Sequence, residues 1–398
     1  MLQWPTFTDP WLSRMTEPSL APPQNANRFD ALDGIRGLAA IAVMVYHFTS
    51  HKSLGYLPGA WAAVDLFFIL SGFVLAHSYI HKIQGGLSAW RFAVLRLIRL
   101  APLYLIGTAI GALAMGLIWW QGEAGSLGAL TYWRGVVLGV LMVPNFDLSE
   151  WPSGSGFHGG VLFPLNPPAW SLFFELFVNA CFFAFIAWGL RIRWPLALLM
   201  MVGLAWLEHH LHEVNPGWGR WNFVYGFPRV IAEFTLGAVL YHHRHRVPRV
   251  HWALAALLTA GLFALFFMGD RTATMLEVFV LAPIVLLCNA QLELGGVAQR
   301  ACHWLGELSY PLYITHMPVF FLGYAALEPE RFEPTTRLLV LASLALLVAI
   351  ALIHVDRAVR RGLMARYHAR CHARCQTGHP APARDPAPLK TAASPRPK

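Results

Sequence analysis

Long apolar stretches separated by short polar ones dominate the pattern along the chain. A helix that crosses a bilayer needs about 20 mostly apolar residues, and ten stretches of the chain fit that length. They lie at about 34–50, 60–80, 100–120, 169–190, 194–212, 222–241, 251–268, 274–293, 307–327 and 336–355. The pattern therefore predicts an all-α polytopic membrane protein with about ten transmembrane helices.

An eleventh apolar stretch, 128–146, is weaker than the others. It contains Tyr132, Trp133 and Arg134, and it ends at Pro144 and Asn145. These residues are typical of a membrane interface, so we predict an interfacial or re-entrant segment that does not span.

Positive charge in the loops sets the predicted orientation. With ten spans and a cytoplasmic N-terminus, the inner loops hold ten Lys or Arg residues before the C-terminal tail, whereas the outer loops hold six. Because cytoplasmic loops carry the excess of Lys and Arg, both termini are predicted to be cytoplasmic. Counting 128–146 as a span would move the basic tail outside.

Composition and charge agree with a membrane protein and argue against nucleic acid as a partner. The chain is 56% hydrophobic and 13% charged, with a formal net charge of +9. Residues 357–398 hold eight Arg and two Lys against Asp385 alone, and the rest of the chain carries 20 basic and 20 acidic residues. The excess charge thus belongs to a tail whose expected partners are water and anionic membrane lipids.

Three regions follow from this pattern. Residues 1–30 are polar and rich in proline and lack the apolar core of a cleaved signal peptide, so a cytoplasmic N-terminal tail is predicted. A transmembrane domain at 31–362 follows. Residues 363–398 are basic and rich in Ala and Pro, and are expected to form a disordered cytoplasmic tail.

The first span carries two ionisable residues, Arg36 and His47, 11 positions apart. At 100° per residue they share one helix face and lie about 16 Å apart along the axis. An ionisable side chain in a span is by default a functional hypothesis. Arg36 also fits a cytoplasmic anchor that reaches the interface, and His47 a core histidine with its hydrogen bonds satisfied.

The next spans carry further polar candidates. Asp65 stands in the apolar run of the second span and could pair with Arg36, and Ser71 precedes a glycine in the same span. Arg96 and Arg99 are one turn apart before the third span, where they could bind phosphate or lie along the membrane surface. Glu175 lies about one turn inside the fourth span.

The remaining candidates lie in the fourth, sixth and ninth spans. Trp170 stands at the predicted outer interface, while Tyr313 and His316 lie in the ninth span. With Ser71 they are the candidate substrate-binding residues. Arg229 and Glu233 are four positions apart and predict an internal ion pair.

No metal site or bound cofactor is predicted. The run HARCHARC at 368–375 places its two cysteines four positions apart with interleaved histidines and no second ligand pair. That spacing is a weak metal signal. The five cysteines show no disulfide framework.

Six motifs resemble the acyltransferase 3 family of integral-membrane acyltransferases, over about residues 29–362. They are LDGIRGLAA followed by Arg36-x10-His47, then VDLFFILSGFVL, RLIRLAPLY, AWSLFFE, EFTLG and LSYPLYITH. The six motifs occur in the same order as in the family and on a frame of ten spans. This makes the resemblance specific, although each motif alone is modest. One departure stands at the last span, where the family often has a Glu-Arg-Pro-like sequence and this chain reads VDRAVRRG, with Asp356 and Ala358.

The resemblance implies a standalone enzyme of the bacterial cytoplasmic membrane, without the fused esterase-like domain of some members. Its donor would be cytoplasmic acyl-CoA, often acetyl-CoA, and its acceptor a hydroxyl of a cell-envelope glycan or lipid-linked sugar. By motif, Arg36 and His47 would be the essential pair, Arg96 and Arg99 would meet the coenzyme, and Glu175 would be a further functional carboxylate.

We expect His47 to act as the base for the acceptor hydroxyl, with Glu175 or Asp65 holding its other nitrogen, since histidine titrates near working pH. An acyl-histidine relay fits equally well. Two other classes stay open, a proton-coupled transporter of a small anionic solute and a non-catalytic scaffold. Against a transporter, the sequence shows no pair of corresponding broken helices in two halves, which is the sign of inverted repeats.

Overall fold

The computed structural model describes residues 29–50, 55–122, 127–147, 151, 160–211, 213, 215–327 and 333–377. Within these ranges the chain forms twelve α-helices and no β-strand. The helices are α1 (Asp30–Ser50), α2 (Ala63–Gln84), α3 (Ala89–Trp120), α4 (Ala129–Val140), α5 (Ala169–Ala187), α6 (Trp194–Leu211), α7 (Gly226–His243), α8 (Trp252–Leu265), α9 (Arg271–Leu276), α10 (Ala282–Asn289), α11 (Gly296–Leu327) and α12 (Pro334–Thr377). A π-helical turn, Glu277–Leu281, joins α9 to α10 in one continuous run.

Seven helical segments in the described ranges are long and apolar enough to cross a membrane, and each coincides with a predicted stretch. They are Asp30–Thr49, Ala60–Gln84, Ala89–Trp120, Ala169–Ala187, Phe223–Arg246, Arg271–Asn289 and Pro334–Cys371. The all-α polytopic membrane fold is therefore confirmed.

The other three predicted spans also form helices, α6, α8 and α11. Helix α8 has 14 residues, which makes it about 21 Å long and shorter than a bilayer core of about 30 Å. The total of about ten spans, and with it the cytoplasmic position of both termini, stays a prediction.

Helix α4 occupies the weak segment at 128–146. Its 12 residues make it about 18 Å long, too short to cross. It ends just before Met142, which has a positive φ of 56°. It packs on α3, because the Tyr132 hydroxyl donates to the carbonyl of Ala112 at 3.0 Å and the Tyr104 hydroxyl donates to that of Gly139.

Helix α12 continues well past residue 362, where the sequence predicts an irregular tail. Near that boundary Arg360 pairs with Asp356 one turn away, and Arg357 pairs with Glu307 of α11. The predicted tail beyond Thr377, the predicted N-terminal tail up to residue 28 and the side chains of 372–375, which are half of the HARCHARC run, lie outside the described residues.

Glycines allow two helix pairs to approach closely. A Cβ atom built on Gly37 of α1 would lie 2.5 Å from the carbonyl oxygen of Leu305 in α11. One built on Gly237 of α7 would lie 1.9 Å from the carbonyl oxygen of Ile69 in α2. Small residues at such contacts are how membrane helices gain packing area without a hydrophobic driving force. The α1–α11 and α2–α7 pairs carry most of the functional candidates.

We expect Gly237→Ala to destabilise the protein by about 1–3 kcal/mol, because the added methyl group would overlap the α2 backbone. Thermal unfolding in detergent micelles measures the effect. Gly203→Ala on α6 is the matched control, since a Cβ there meets nothing within 4 Å and alanine favours the helix. A Gly237→Ala protein that unfolds at or above the wild-type temperature would refute this packing argument.

Candidate active site

A pair of histidines joins α1 to α11. The Nδ1 atom of His47 lies 2.9 Å from the Nε2 atom of His316. The ring centroids are 5.0 Å apart and the ring planes differ by 29°, so the rings meet edge to edge as a hydrogen bond between ring nitrogens requires. His316 is fully buried, whereas His47 is half-buried. The two helices thus hold the His47 ring in one orientation.

His47 lines a cavity of about 190 Å³ at the C-terminal end of α1. Aromatic side chains provide much of its wall, and two chain segments, 160–168 and 215–218, also line it. The aromatic lining residues are Tyr46, Trp61, Trp151, Trp170, Trp218, Tyr313 and Phe321. The cavity therefore offers aromatic ring faces around the imidazole of His47.

The loop that carries Trp218 is fixed by a buried asparagine. The side-chain oxygen of Asn222 accepts hydrogen bonds from the backbone N–H groups of Gly217 and Gly219, at 3.1 and 3.0 Å. An isolated bridge between Val161 and Gly219 ties the loop to the segment 160–168. These contacts hold the indole of Trp218 at the cavity wall.

Tyr313 and Trp170, two candidate substrate-binding residues, both lie in the cavity wall. The hydroxyl groups of Tyr313 and Ser171 are 2.8 Å apart, which links α11 to α5 beside the cavity. The guanidinium of Arg229 lies 5.6 Å from the Trp170 ring. A polar partner therefore fixes each of these two aromatic side chains in the cavity wall.

Arg36 contacts α11, as His47 does, and lies about 16 Å from His47 along α1. Its Nε donates to the Ser309 hydroxyl at 2.8 Å, and one terminal nitrogen donates to the Gly306 carbonyl at 3.0 Å. The same nitrogen lies 3.0 Å from a carboxylate oxygen of Asp33. Arg36 and His47 thus share the α1 face that packs on α11, as their spacing predicts.

Arg96, Glu175 and Ser71 form one network between α3, α5 and α2. One carboxylate oxygen of Glu175 accepts from Arg96 at 2.8 Å and from the Ser71 hydroxyl at 2.6 Å. Arg96 is buried. Ser71 is therefore a ligand of Glu175 and does not line the cavity.

Arg99 completes a cationic group near the N-terminal end of α1. It lies one turn from Arg96 on α3, and Arg36 on α1 and Arg360 on α12 add positive charge around it. Because guanidinium groups bind phosphate through paired N–H donors, a concentration of arginines is suited to a polyanion. We call Arg36, Arg96, Arg99 and Arg360 the arginine cluster.

Arg229 forms the centre of a buried ionic network behind the cavity. Its Nε donates to a carboxylate oxygen of Asp65 at 2.6 Å and lies 3.5 Å from Glu233, which confirms the predicted Arg229–Glu233 pair. One terminal nitrogen donates to the side-chain oxygen of Asn215 and the carbonyl of Pro216, at 2.8 and 2.9 Å. Arg229 and Glu233 are fully buried. This network joins α2 and α7 to the segment 215–218, which lines the cavity.

The predicted carboxylate partner of His47 is wrong. Asp65 binds Arg229, and Glu175 binds Arg96 and Ser71, so neither carboxylate supports the histidine; His316 does. Asp65 also does not pair with Arg36, whose acidic partner is Asp33. The sequence offered one signal for the true partner, a histidine in an otherwise apolar ninth span.

Comparison with known proteins agrees with this architecture. The acyltransferase domain model of the acyltransferase 3 family matches residues 29–354. The chain is 36% identical over 195 residues to protein 2 in the picA locus of Rhizobium radiobacter, covering 46% of this chain and 92% of that protein. It is 25% identical to BcsY of Komagataeibacter xylinus, a protein named as a membrane-bound transacylase, over 85% of this chain and 83% of that one.

Nodulation protein 10 of Rhizobium leguminosarum bv. viciae is 28% identical over 74% of this chain and 82% of its own length. No solved structure shows a significant match. The family model covers most of the chain, including α1 with its Arg36 and His47 and α11 with His316. The chain belongs to the acyltransferase 3 family and is an integral, multi-pass membrane acyltransferase.

Proposed function

We propose that the protein transfers an acyl group, acetyl in the simplest case, from acyl-CoA to a hydroxyl of a cell-envelope glycan or lipid-linked sugar. The observation that carries the proposal is the position of His47, in the wall of an aromatic cavity of about 190 Å³. The arginine cluster stands at the opposite end of the same helix. One helix thus connects a site for an anionic donor with a site for a polyhydroxyl acceptor.

The donor end suits the phosphates of coenzyme A. Arg36 and Arg96 are each held by a carboxylate, Asp33 and Glu175, which fixes the position of their guanidinium groups. Coenzyme A carries its thioester at the end of a long flexible arm. Phosphates bound at the arginine cluster therefore permit the acyl carbon to extend toward His47, about 16 Å away along α1.

The acceptor end suits a sugar. The C–H faces of a pyranose pack on aromatic rings, and Trp61, Trp151 and Trp218 provide such rings around His47. Aromatic side chains supply rigid contact area at low entropic cost. The inner bacterial membrane, with the His47 end of α1 toward the outer side, is the location that joins a cytoplasmic donor to an envelope glycan.

The reaction at His47 needs only the acyl-CoA donor and the acceptor hydroxyl. The acceptor oxygen attacks the thioester carbonyl, its proton passes to His47, and the departing thiolate takes that proton to become the thiol of coenzyme A. In the alternative route, a ring nitrogen of His47 first attacks the thioester carbonyl and expels the thiolate of coenzyme A, and the sugar oxygen then takes the acyl group from His47 while its proton passes through solvent to that thiolate. Arg36 binds the donor or stabilises developing negative charge, and its distance of about 16 Å from His47 along α1 supports donor binding.

Trapping separates these two routes. Purified protein is mixed with radiolabelled acetyl-CoA without acceptor and quenched in denaturant after milliseconds to seconds. Label that stays on wild-type protein but not on the His47→Gln variant supports the relay. Acyl transfer to acceptor with no labelled protein at any quench time supports direct attack.

Mass spectrometry of envelope glycans tests the proposed reaction in cells. Glycans from a deletion strain are compared with those from the same strain carrying the gene. We expect an alkali-labile acyl substituent, visible as a fixed mass increment, only when the gene is present. Identical glycans and lipid-linked sugars in both strains would contradict the proposal.

Trp218→Ala is expected to raise the KM for the glycan acceptor by roughly tenfold with a smaller effect on the KM for acyl-CoA, because one stacking face is worth about 1–2 kcal/mol. Initial rates with each substrate varied in turn give the two constants. Trp206→Ala is the control, since Trp206 is 60% exposed on α6 and does not line the cavity. Equal KM values for the two variants would argue against acceptor binding in this cavity.

A further inference from the structure

His316 is the group that decides how His47 enters the reaction. The Nδ1 atom of His316 lies 2.8 Å from the carbonyl oxygen of Tyr313 and 3.1 Å from that of Leu312, both in its own helix. Carbonyl oxygens only accept hydrogen bonds, so Nδ1 of His316 carries a proton.

The surroundings favour the neutral form of His316. The side chain is fully buried, and its hydrogen-bond partners in the described structure are two carbonyls and one histidine. An imidazolium in such a place would lack a carboxylate, and burial of an uncompensated charge is costly. With a proton on Nδ1, the Nε2 atom of neutral His316 is an acceptor.

The tautomer of His47 follows from that of its partner. Because Nε2 of His316 accepts, Nδ1 of His47 donates across the 2.9 Å contact. A neutral His47 with its proton on Nδ1 has its basic lone pair on Nε2. We infer that His316 is a positioning residue that fixes His47 as the Nδ1–H tautomer, so that Nε2 of His47 takes the acceptor proton or the acyl group.

This inference rests on the proposed function for its role in catalysis, although the tautomer itself is a property of the resting protein. An imidazole held by one acceptor is oriented and stabilised as a cation when Nε2 takes a proton, since the Nδ1–H bond then becomes charge-assisted. His316 is a neutral acceptor in this arrangement, where other enzymes use a carboxylate.

Two substitutions separate positioning from a structural role. The amide of glutamine reaches the place of a histidine Nε2 atom, so His316→Gln offers an oxygen to the Nδ1–H of His47 but loses the bonds to the α11 carbonyls. The amide of asparagine reaches the place of Nδ1, so His316→Asn keeps the bonds within α11 and loses the contact with His47. Positioning predicts that Gln is the better replacement, whereas a structural role predicts Asn.

We expect His316→Gln to keep kcat within about threefold of wild type and His316→Asn to lower it about 30-fold or more, with the KM for acyl-CoA unchanged in both. Thermal unfolding of each variant shows whether the helix is intact. Rates for Asn equal to or above those for Gln, at equal folded fractions, would overturn the inference.

Nitrogen NMR reads the tautomer without any assay of activity. Protein labelled with ¹⁵N-histidine is compared with the His47→Gln variant to assign the two His47 signals in detergent micelles near neutral pH. We expect a protonated Nδ1 and an unprotonated Nε2. A protonated Nε2 in the resting protein would overturn the inference, whereas failure of acyl transfer in a protein with this tautomer would contradict only the proposed function.

Discussion

His47→Gln is expected to lower the rate of acyl transfer by about 10³-fold or more, the largest catalytic effect of any single substitution. General base catalysis contributes about 10²–10⁴-fold, and the relay would lose its nucleophile outright. Glutamine resembles histidine in size and polarity, so the cavity keeps its shape. Transfer of labelled acetyl to glycan by purified protein measures the loss.

His77→Gln is the matched control for this substitution. His77 lies on α2, contacts the Tyr241 hydroxyl at 3.2 Å, and does not line the cavity. Its replacement should leave the rate within about threefold of wild type, as is usual for substitutions outside the reacting groups. A His47→Gln protein as active as the His77→Gln protein would contradict both chemical routes.

Arg229→Met is expected to have the largest effect on stability. Removing one partner of a buried ion pair typically costs about 3–5 kcal/mol, because the remaining charge is left buried without compensation. Here the loss would expose Asp65 and Glu233 to each other, and it would release Asn215 and the carbonyl of Pro216. We expect a large fall in the yield of folded protein and in its unfolding temperature in micelles.

Arg249→Met provides the comparison. Arg249 pairs with Glu293 at 3.2 Å, but the two side chains are 76% and 84% exposed, and such a pair is worth about 0–1 kcal/mol. Adding Asp65→Asn to Arg229→Met should recover part of the lost stability, since it removes one uncompensated carboxylate. Equal unfolding temperatures for Arg229→Met and Arg249→Met would show that the network is not structural.

The helices were predictable because a bilayer imposes a simple rule on sequence. Apolar length alone located α1, α2, α5 and α7 within a few residues, since a spanning segment must satisfy its own backbone hydrogen bonds. The end of α12 was not predictable in this way. Its last turns are polar, and helical propensity there competes with a composition typical of irregular tails.

Within the site, local geometry could be predicted and tertiary partners could not. The shared face of Arg36 and His47 follows from 100° per residue on one helix. The contact of His47 with His316 joins residues 269 positions apart, and nothing local selects histidine over Asp65 or Glu175 as the partner. Glycine packing decides the partner of His47, because Gly37 lets α11 approach the face of α1 that carries Arg36 and His47.

The cavity was the feature furthest from prediction. Trp170 and Tyr313 were expected near substrate, yet a belt of interfacial aromatics is equally rich in tryptophan. Asn222 has no hydrophobic pattern around it to reveal that its side chain fixes the loop of Trp218. The sequence does not distinguish aromatic residues that line a cavity around His47 from aromatic residues that face lipid. The packing of the helices and loops does.

Transfer across a sealed membrane tests the central claim most directly. Wild-type protein and the His47→Gln variant are reconstituted in proteoliposomes that enclose envelope glycan from the deletion strain, and labelled acetyl-CoA is added outside. Protein oriented with its arginine cluster outward should place alkali-labile label on the enclosed glycan, and the variant should not. Equal labelling by the two proteins, or release of free coenzyme A with unlabelled glycan, would contradict it.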